Sequence, residues 1–246
     1  MSNQVMQLDE AALKCLFLEH LRHLRMIDAN SILASEYDLG RAGRRIDLAV
    51  WSGELIGVEF KSRFDSLRRL SWQLDAYVQC FDRVILVVDQ KHTQKLFDVI
   101  PAPIELWTVD AFAKFTLVNK AGVIRTQTVE GLANLCSLAD LRRISPAGNS
   151  SSAYRGRSNI LAGDLRLDEV YEAAIKGFKR AFGNSSRSFW KTLGEGSISP
   201  ETLLTLSRFA TQRAQKKLSY QTEQIFWQNW TKQAFTALQT SSEAIN

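Results

Sequence analysis

One segment limits the fold more than any other. Arg45-Ile46-Asp47-Leu48-Ala49-Val50 and Leu55-Ile56-Gly57-Val58-Glu59-Phe60-Lys61 are short runs rich in β-branched and aliphatic residues, and Trp51-Ser52-Gly53-Glu54 between them is a hairpin signal. From about Ser66 to Phe81, Leu67, Leu70, Leu74, Val78 and Phe81 recur at helical spacing. Arg83 to Val88 is then a nearly continuous apolar run, the pattern of a strand covered on both faces. Strand, helix and strand in this length predict a right-handed parallel crossover, so the fold class is α/β. A helix is expected from Asp9 to Arg25, with Leu13, Leu16, Phe17, Leu21 and Leu24 on one stripe, and a strand from Ser31 to Tyr37. Ile104 to Val109 reads as a further strand, and Phe115–Val118 with Val123–Thr126 as a hairpin.

After about residue 143 the pattern changes. Ser145-Pro146-Ala147-Gly148-Asn149-Ser150-Ser151-Ser152 has the composition of a linker, placed at 144–162, and the apolar spacing beyond it is helical throughout. Leu167, Val170, Tyr171, Ala174 and Phe178 form one stripe, Ser199-Pro200 reads as a cap with proline in the first turn, and Ser219 would cap a last helix. A helical domain is therefore expected over 163–246. Residues 1–120 carry a net charge of −1 and residues 121–246 a net +6. A basic half favours polyanionic partners. No apolar run reaches the roughly 20 residues of a membrane span, and Met1 to Glu10 lacks the layout of a signal peptide. Cys15, Cys80 and Cys136 are odd in number and far apart, as buried thiols of a reducing compartment would be. A cytoplasmic protein with no membrane partner is the expectation.

The chemistry concentrates on Asp47, Glu59, Lys61, Gln73 and Tyr77. Alternate residues of a strand share a face, so Glu59 and Lys61 point one way while Ile56, Val58 and Phe60 point the other. The same alternation sets Ile46, Leu48 and Val50 opposite to Asp47. A hairpin centred on Gly53 puts Asp47 directly across from Glu59, with Cβ atoms about 5 Å apart. Two carboxylates at that distance repel by about 3 kcal/mol at an effective dielectric near 20. One acid is then protonated, or Lys61 neutralises part of the charge, or a divalent cation sits between them. Oxygen ligands of this kind suit Mg²⁺, with Mn²⁺ as a substitute. Arg69, Gln73 and Tyr77, spaced by four, share one stripe of the following helix, which the crossover packs beside Glu59. Arg41, Arg44 and Arg45 form a basic approach to Asp47, and with Arg69 they are candidates for nucleic-acid phosphates.

Ile46-Asp47, Gly57-Val58-Glu59-Phe60-Lys61-Ser62 and Gln73-Leu74-Asp75-Ala76-Tyr77 together resemble the PD-(D/E)xK nuclease superfamily, in particular its RecB-like members with a QxxxY motif. The run from Arg45 to Val88 is similar to an uncharacterised bacterial family named after a Sorangium locus. The resemblance implies a restriction-endonuclease-like core over 1–143, built from a helix, three antiparallel strands, a helix and a parallel strand. It implies Asp47 and Glu59 as ligands of Mg²⁺, the Phe60 carbonyl as a third, Lys61 as the catalytic lysine, and Gln73 and Tyr77 as the helix motif. The superfamily's first acidic residue would be Glu36 or Glu19, with Glu36 favoured by its strand.

The function expected is a Mg²⁺-dependent deoxyribonuclease acting in restriction, repair or defence against foreign DNA, with RNA as a further substrate to test. Two rivals are a nucleic-acid-binding module without hydrolysis and a scaffold that oligomerises through the C-terminal helices. His20 and His23, with Glu19, are expected to be a polar helix face rather than metal ligands, and His92 a loop residue. Phe226, Trp227, Trp230 and Phe235 are expected in helix core rather than stacked on bases, and Arg213, Lys216 and Lys217 fit a solvated helix end as well as a phosphate track.

Overall fold

A computed structural model describes residues 8–40, 45–96, 100–101, 103–121, 126–145 and 165–206. The chain divides into two compact units, Met1–Ser207 and Arg208–Asn246. The second unit, which holds the expected last helix and its aromatic and basic residues, lies outside the described residues.

In the first unit a six-stranded mixed sheet runs in sequence order, β1 (Ile32–Asp38), β2 (Arg45–Trp51), β3 (Leu55–Lys61), β4 (Arg83–Asp89), β5 (Ile104–Val109) and β6 (Phe115–Asn119). The pairs β1–β2, β2–β3 and β5–β6 are antiparallel, whereas β3–β4 and β4–β5 are parallel. The expected crossover is present: β3 leads through α2 (Leu70–Tyr77) to its parallel neighbour β4. The β2–β3 hairpin has the expected centre, with Trp51 paired to Leu55 and Gly53 at φ +87°, a left-handed conformation that glycine adopts without a Cβ clash. Gly57 is required for a different reason. A Cβ there would sit 2.6 Å from Ile46 Cδ1 and 2.8 Å from the Phe81 ring, so its absence lets the end of the crossover close onto the sheet.

Helix α1 (Glu10–His23), capped by the Asp9 carboxylate on the Ala12 N–H, covers one face of the sheet. Leu13, Phe17, Leu18 and Leu21 pack there with Leu48, Val50, Val58, Phe60, Ile85 and Val87. The other face packs Ala34, Ile46, Ala49, Val84, Leu86 and Val88 against α2, α4 (Val129–Leu135) and α5 (Leu138–Ile144). Helix α2 is shorter than the apolar spacing predicts. The Ser62 N–H and hydroxyl both bond the Asp65 carboxylate in a turn after β3, and the helix begins only at Leu70. His92, expected in a loop, lies instead in α3 (Gln90–Leu96) and is buried.

The helical segment that the sequence sets apart from residue 163 contributes to the same unit. Helix α6 (Leu167–Leu193) places Val170, Ala174, Phe178 and Phe182 in the core beneath α2, and Phe189 and Leu193 in the core beneath α1. Between the two groups Ser186 meets the outer edge of β1. Its hydroxyl accepts from the Leu33 N–H at 2.8 Å and donates to the Leu33 carbonyl at 3.1 Å. Trp190 Nε1 donates to the Ser31 carbonyl, and the Ser35 N–H donates to the Leu206 carbonyl, which follows α7 (Pro200–Leu204). These bonds satisfy backbone groups that an edge strand otherwise offers to other chains. Helix α7 has the expected Ser199 cap with Pro200 in its first turn. The second strand expected at Val123–Thr126 falls almost wholly outside the described residues, as does most of the linker. No helix among the described residues is long and apolar enough to cross a membrane.

Candidate functional site

Glu59 is the hub of the site. It lies on the α2 side of β3 and is only 2 % exposed. A carboxylate so far from water needs donors, and three side chains supply them. Lys61 Nζ donates to Oε1 at 2.7 Å, Gln73 Nε2 donates to the same oxygen at 2.8 Å, and the Tyr77 hydroxyl stands 3.0 Å from Oε2. That hydroxyl also lies 2.8 Å from the Arg45 carbonyl and accepts from Gln73 Nε2 at 3.3 Å, so its single hydrogen serves two acceptors. Burial and the neighbouring Glu59 charge push the Tyr77 phenol well above its ordinary range. Period two along β3 and period four along α2 produce this convergence, as the sequence spacing predicts.

Asp47 stands beside the hub in a different environment. Its Oδ2 accepts the Phe60 N–H at 2.8 Å, and its Oδ1 is 3.3 Å from Lys14 Nζ. Burial, then repulsion from Glu59, pushes its carboxyl up to about 7, against the opposing pull of Lys14. The repulsion expected across the hairpin is therefore present, and two ammonium groups share the task of offsetting it, Lys61 on Glu59 and Lys14 on Asp47.

Lys14 was not foreseen in the sequence. It is 6 % exposed on α1 and bonds Glu10 Oε1 at 2.5 Å and Glu36 Oε1 at 2.6 Å as well as Asp47. Burial alone would lower its pKa, but Asp47 and Glu36 more than reverse this, so the ammonium is held charged far above the ordinary lysine range. Its one sequence signal is a charge inside the apolar run Leu13-Lys14-Cys15-Leu16-Phe17. Glu10, Glu36 and Asp47 each bring one carboxylate oxygen to within 4.8 Å of the others, with Glu10 exposed and the other two partly buried.

The backbone explains how Glu36 and Asp47 reach α1. Ser35 pairs with Leu48 and Tyr37 with Ile46, so Glu36 falls opposite Asp47. Glu36 has φ +58°, a left-handed conformation that L residues rarely adopt. The pleat inverts there. Ile46 joins the core beneath α2 while Leu48 and Val50 join the core beneath α1, although strict alternation would put all three on one face. The expected alternation of Ile46 with Leu48 thus fails at the site, because the strained Glu36 breaks the β1–β2 pleat.

The family model for bacteriophage P4 protein cII matches residues 3–207. The chain belongs to that family. Protein cII of Enterobacteria phage P4 is 27% identical over 208 residues, covering 82% of this chain and 78% of that protein. No solved structure matches. The cII match spans every residue on which the likeness to PD-(D/E)xK nucleases and to the Sorangium-named family rested, and it replaces both assignments. The shared residues have a local physical role, since Lys61, Gln73 and Tyr77 supply the donors that the buried Glu59 carboxylate requires, whatever the ancestry of the chain.

The other candidates sort by position. Arg45 is exposed, and its Nε bonds Glu36 Oε2 at 2.8 Å. Arg69 is exposed at the start of α2, apart from the Lys61, Gln73 and Tyr77 donors that grip Glu59. Arg41 and Arg44 lie outside the described residues. Glu19, the alternative first acid, accepts the Ile198 N–H at 2.7 Å and pairs with Arg22, away from Asp47, so Glu36 is the one that joins the site. His20 packs against Phe17, Trp107 and Phe115, with ring centroids 5.0–6.0 Å apart, while His23 Nδ1 meets the Glu19 carbonyl. The two rings do not converge on a shared ligand.

Proposed function

We propose that this cII-family chain is a Mg²⁺-dependent nuclease that hydrolyses phosphodiester bonds of DNA. The observation that carries the reading is the buried Glu59 carboxylate, gripped by Lys61, Gln73 and Tyr77, beside an Asp47 whose proton affinity is raised by burial and then by that same charge. A perturbed acid beside a second, buried carboxylate is a common mark of functional sites. The order of the elements, helix, three antiparallel strands, helix and parallel strand, supports a restriction-endonuclease-like core as the finer description of the fold.

The donor set fits a hard cation. Each carboxylate accepts about four hydrogen bonds; Glu59 receives three and Asp47 two, so both keep free lone pairs. The Phe60 N–H points to Asp47, and in an extended strand the carbonyl of the same residue points to the same side. Asp47, Glu59 and the Phe60 carbonyl would hold Mg²⁺, or Mn²⁺ in its place. Such an ion supplies Lewis acidity at a phosphate oxygen and acidifies bound water.

The chain's own residues do the rest. Lys61 presents an ammonium next to the reacting phosphate, orients a water through its remaining donors and offsets the negative charge gained in the transition state. Gln73 and Tyr77 fix the Glu59 rotamer so that no reorganisation is needed at the moment of reaction. Arg45, exposed beside Glu36, offers a charge to the phosphate backbone. The test is cleavage of circular and linear DNA with and without Mg²⁺. Glu59→Ala and Lys61→Ala are expected to lose at least 100-fold in rate, while circular dichroism and unfolding stay those of a folded protein; full activity in both variants rejects the reading.

Lys14 favours a second reading. A protein ammonium already neutralises Glu36 and Asp47, as a nucleic-acid-binding module that does not hydrolyse would require. DNA binding without cleavage in either Mg²⁺ or Mn²⁺ selects this alternative.

A further inference from the structure

On the α2 side of the sheet, beyond the site, lies a cleft of about 740 Å³ between α3 and the strands β5 and β6. Its position has three sources. It opens at the carboxyl ends of the parallel strands β4 and β5, where open α/β sheets place their ligands. Its floor residue Thr108 pairs with Val88, which pairs with Lys61, and Thr116 continues the row. Lys61 and Thr108 therefore share one row and one face, two strand spacings or about 10 Å apart. Finally, α3 is tied to the residues following Lys61: the buried His92 ring meets the Ser62 carbonyl at 3.0 Å, and Lys91 Nζ donates to the Arg63 carbonyl at 3.0 Å.

The lining is polar and varied. Gln90, Thr93 and Gln94 come from one side of α3, spaced three and four apart. The Thr93 hydroxyl is buried and has no hydrogen-bond partner among the described residues, a state that a bound polar group would relieve. Opposite them, Lys114 is exposed on a turn that Asp110 fixes, its Oδ1 accepting the Phe112 and Lys114 N–H groups at 2.8 and 2.9 Å. Phe112, 64% exposed, projects from the same turn. Paired amides and hydroxyls match the edges of a nucleobase, an ammonium matches a phosphate, and an exposed ring offers a stacking face.

We propose that this cleft is a subsite for one unpaired nucleotide of the strand whose phosphate lies at Glu59 and Lys61. The assignment rests on the nucleic-acid reading of that site. The volume lies in the range of small-ligand sites, and a base can enter only when splayed out of a duplex or already single-stranded. Gln90 and Gln94 read the base edge, Thr93 and Thr108 complete its hydrogen bonds, and Lys114 holds the adjoining phosphate.

The test measures binding of labelled 20-mers of dT and rU and of a 20-bp DNA duplex to the full chain in Ca²⁺, with Gln94→Ala and Lys114→Ala beside wild type. Both substituted side chains are exposed, so the variants are expected to fold. Each is expected to weaken single-strand binding about tenfold, and the duplex is expected to bind less tightly than the single strands. The tighter of dT and rU tells whether the strand is DNA or RNA. Plasmid and linear-DNA cleavage in Mg²⁺ and Mn²⁺ is run on the same preparations. Variants that bind as wild type does overturn the subsite even when wild type cuts DNA. Weakened variants of a wild type that never cuts uphold the subsite and remove the hydrolysis. A wild type that prefers duplex, or binds neither single strand, overturns the proposal.

Discussion

The two halves of the site solve one electrostatic problem in different ways. Glu59 is buried more deeply than Asp47, with side-chain exposures of 3% and 18%, yet it is the better provided: one cation and two neutral donors reach it from its own strand and the next helix. Asp47 has one backbone N–H and a lysine at the longer distance of 3.3 Å, and that lysine also serves two other acids. Local hydrogen bonds therefore stabilise the Glu59 side, whereas the Asp47 side depends on a charge brought from α1. Depth of burial matters less here than the number of donors whose geometry the local chain dictates.

The sharpest way to break this contrast is Lys14→Met. It would leave Glu10, Glu36 and Asp47 facing one another without their shared cation, and removing one partner of a buried ion pair costs about 3–5 kcal/mol. Urea unfolding at pH 8 measures the loss, and adding Asp47→Asn to Lys14→Met should recover part of it. A loss below about 1 kcal/mol would mean that Lys14 is not what holds the Asp47 side together.

Asp47→Asn alone probes the same half with a sign that can be worked out. The folded carboxyl is pushed up to about 7, mainly by burial and then by Glu59, from an ordinary value of 3.8. Between those two values the folded state keeps a proton that the unfolded chain has released. Stability must therefore fall as pH rises through this window and level off above it. Asparagine resembles the protonated acid, so the variant should lack this fall and be more stable than wild type by about 4 kcal/mol at pH 8, with little difference at pH 4. Thermal unfolding across pH 4–8 in the absence of divalent cations checks it. A wild-type curve that rises over the window would show that Lys14 outweighs both burial and Glu59.

On the Glu59 side the corresponding change is Tyr77→Phe. It deletes the hydroxyl shared between Glu59 Oε2 and the Arg45 carbonyl and should cost about 1–2 kcal/mol, the scale of a buried hydrogen bond to a charged group. Because Lys61 and Gln73 remain on Oε1, DNA cleavage should fall by roughly tenfold rather than vanish. Loss as large as that of Glu59→Ala would give Tyr77 a part in the reaction beyond positioning.

The same contrast explains what could be seen in the sequence. The hairpin centre at Gly53, the parallel crossover and the four residues of the Glu59 hub follow from periods of two and four acting over neighbouring residues. Lys14 and Glu10 belong to a helix whose approach to Asp47 is decided by how Leu13, Phe17 and Leu21 pack on the sheet, and no local spacing encodes that. The role of α6 was hidden for the same reason: its stripe predicts a helix, but only the Ser186 bonds to Leu33 show that it closes the β1 edge. Ancestry was misread because a short motif reports a local solution to burying a glutamate, whereas the cII match is carried by residues 3–207 as a whole.

The inverted pleat at Glu36 gives the finest test, since nothing in the local sequence announces it. Glycine or asparagine would have signalled a left-handed residue; glutamate does not. Comparing Glu36→Ala with Glu36→Gly separates strain from charge, because both remove the carboxylate that meets Lys14 and Arg45. In an ordinary strand the glycine variant would be the weaker by about 0.5–1 kcal/mol. At φ +58° the order should reverse, with Glu36→Gly the more stable by about 1 kcal/mol in urea unfolding. If alanine proved the better tolerated, the backbone at 36 would be relaxed rather than strained, and the inversion that carries Asp47 toward α1 would need a cause on β2 instead.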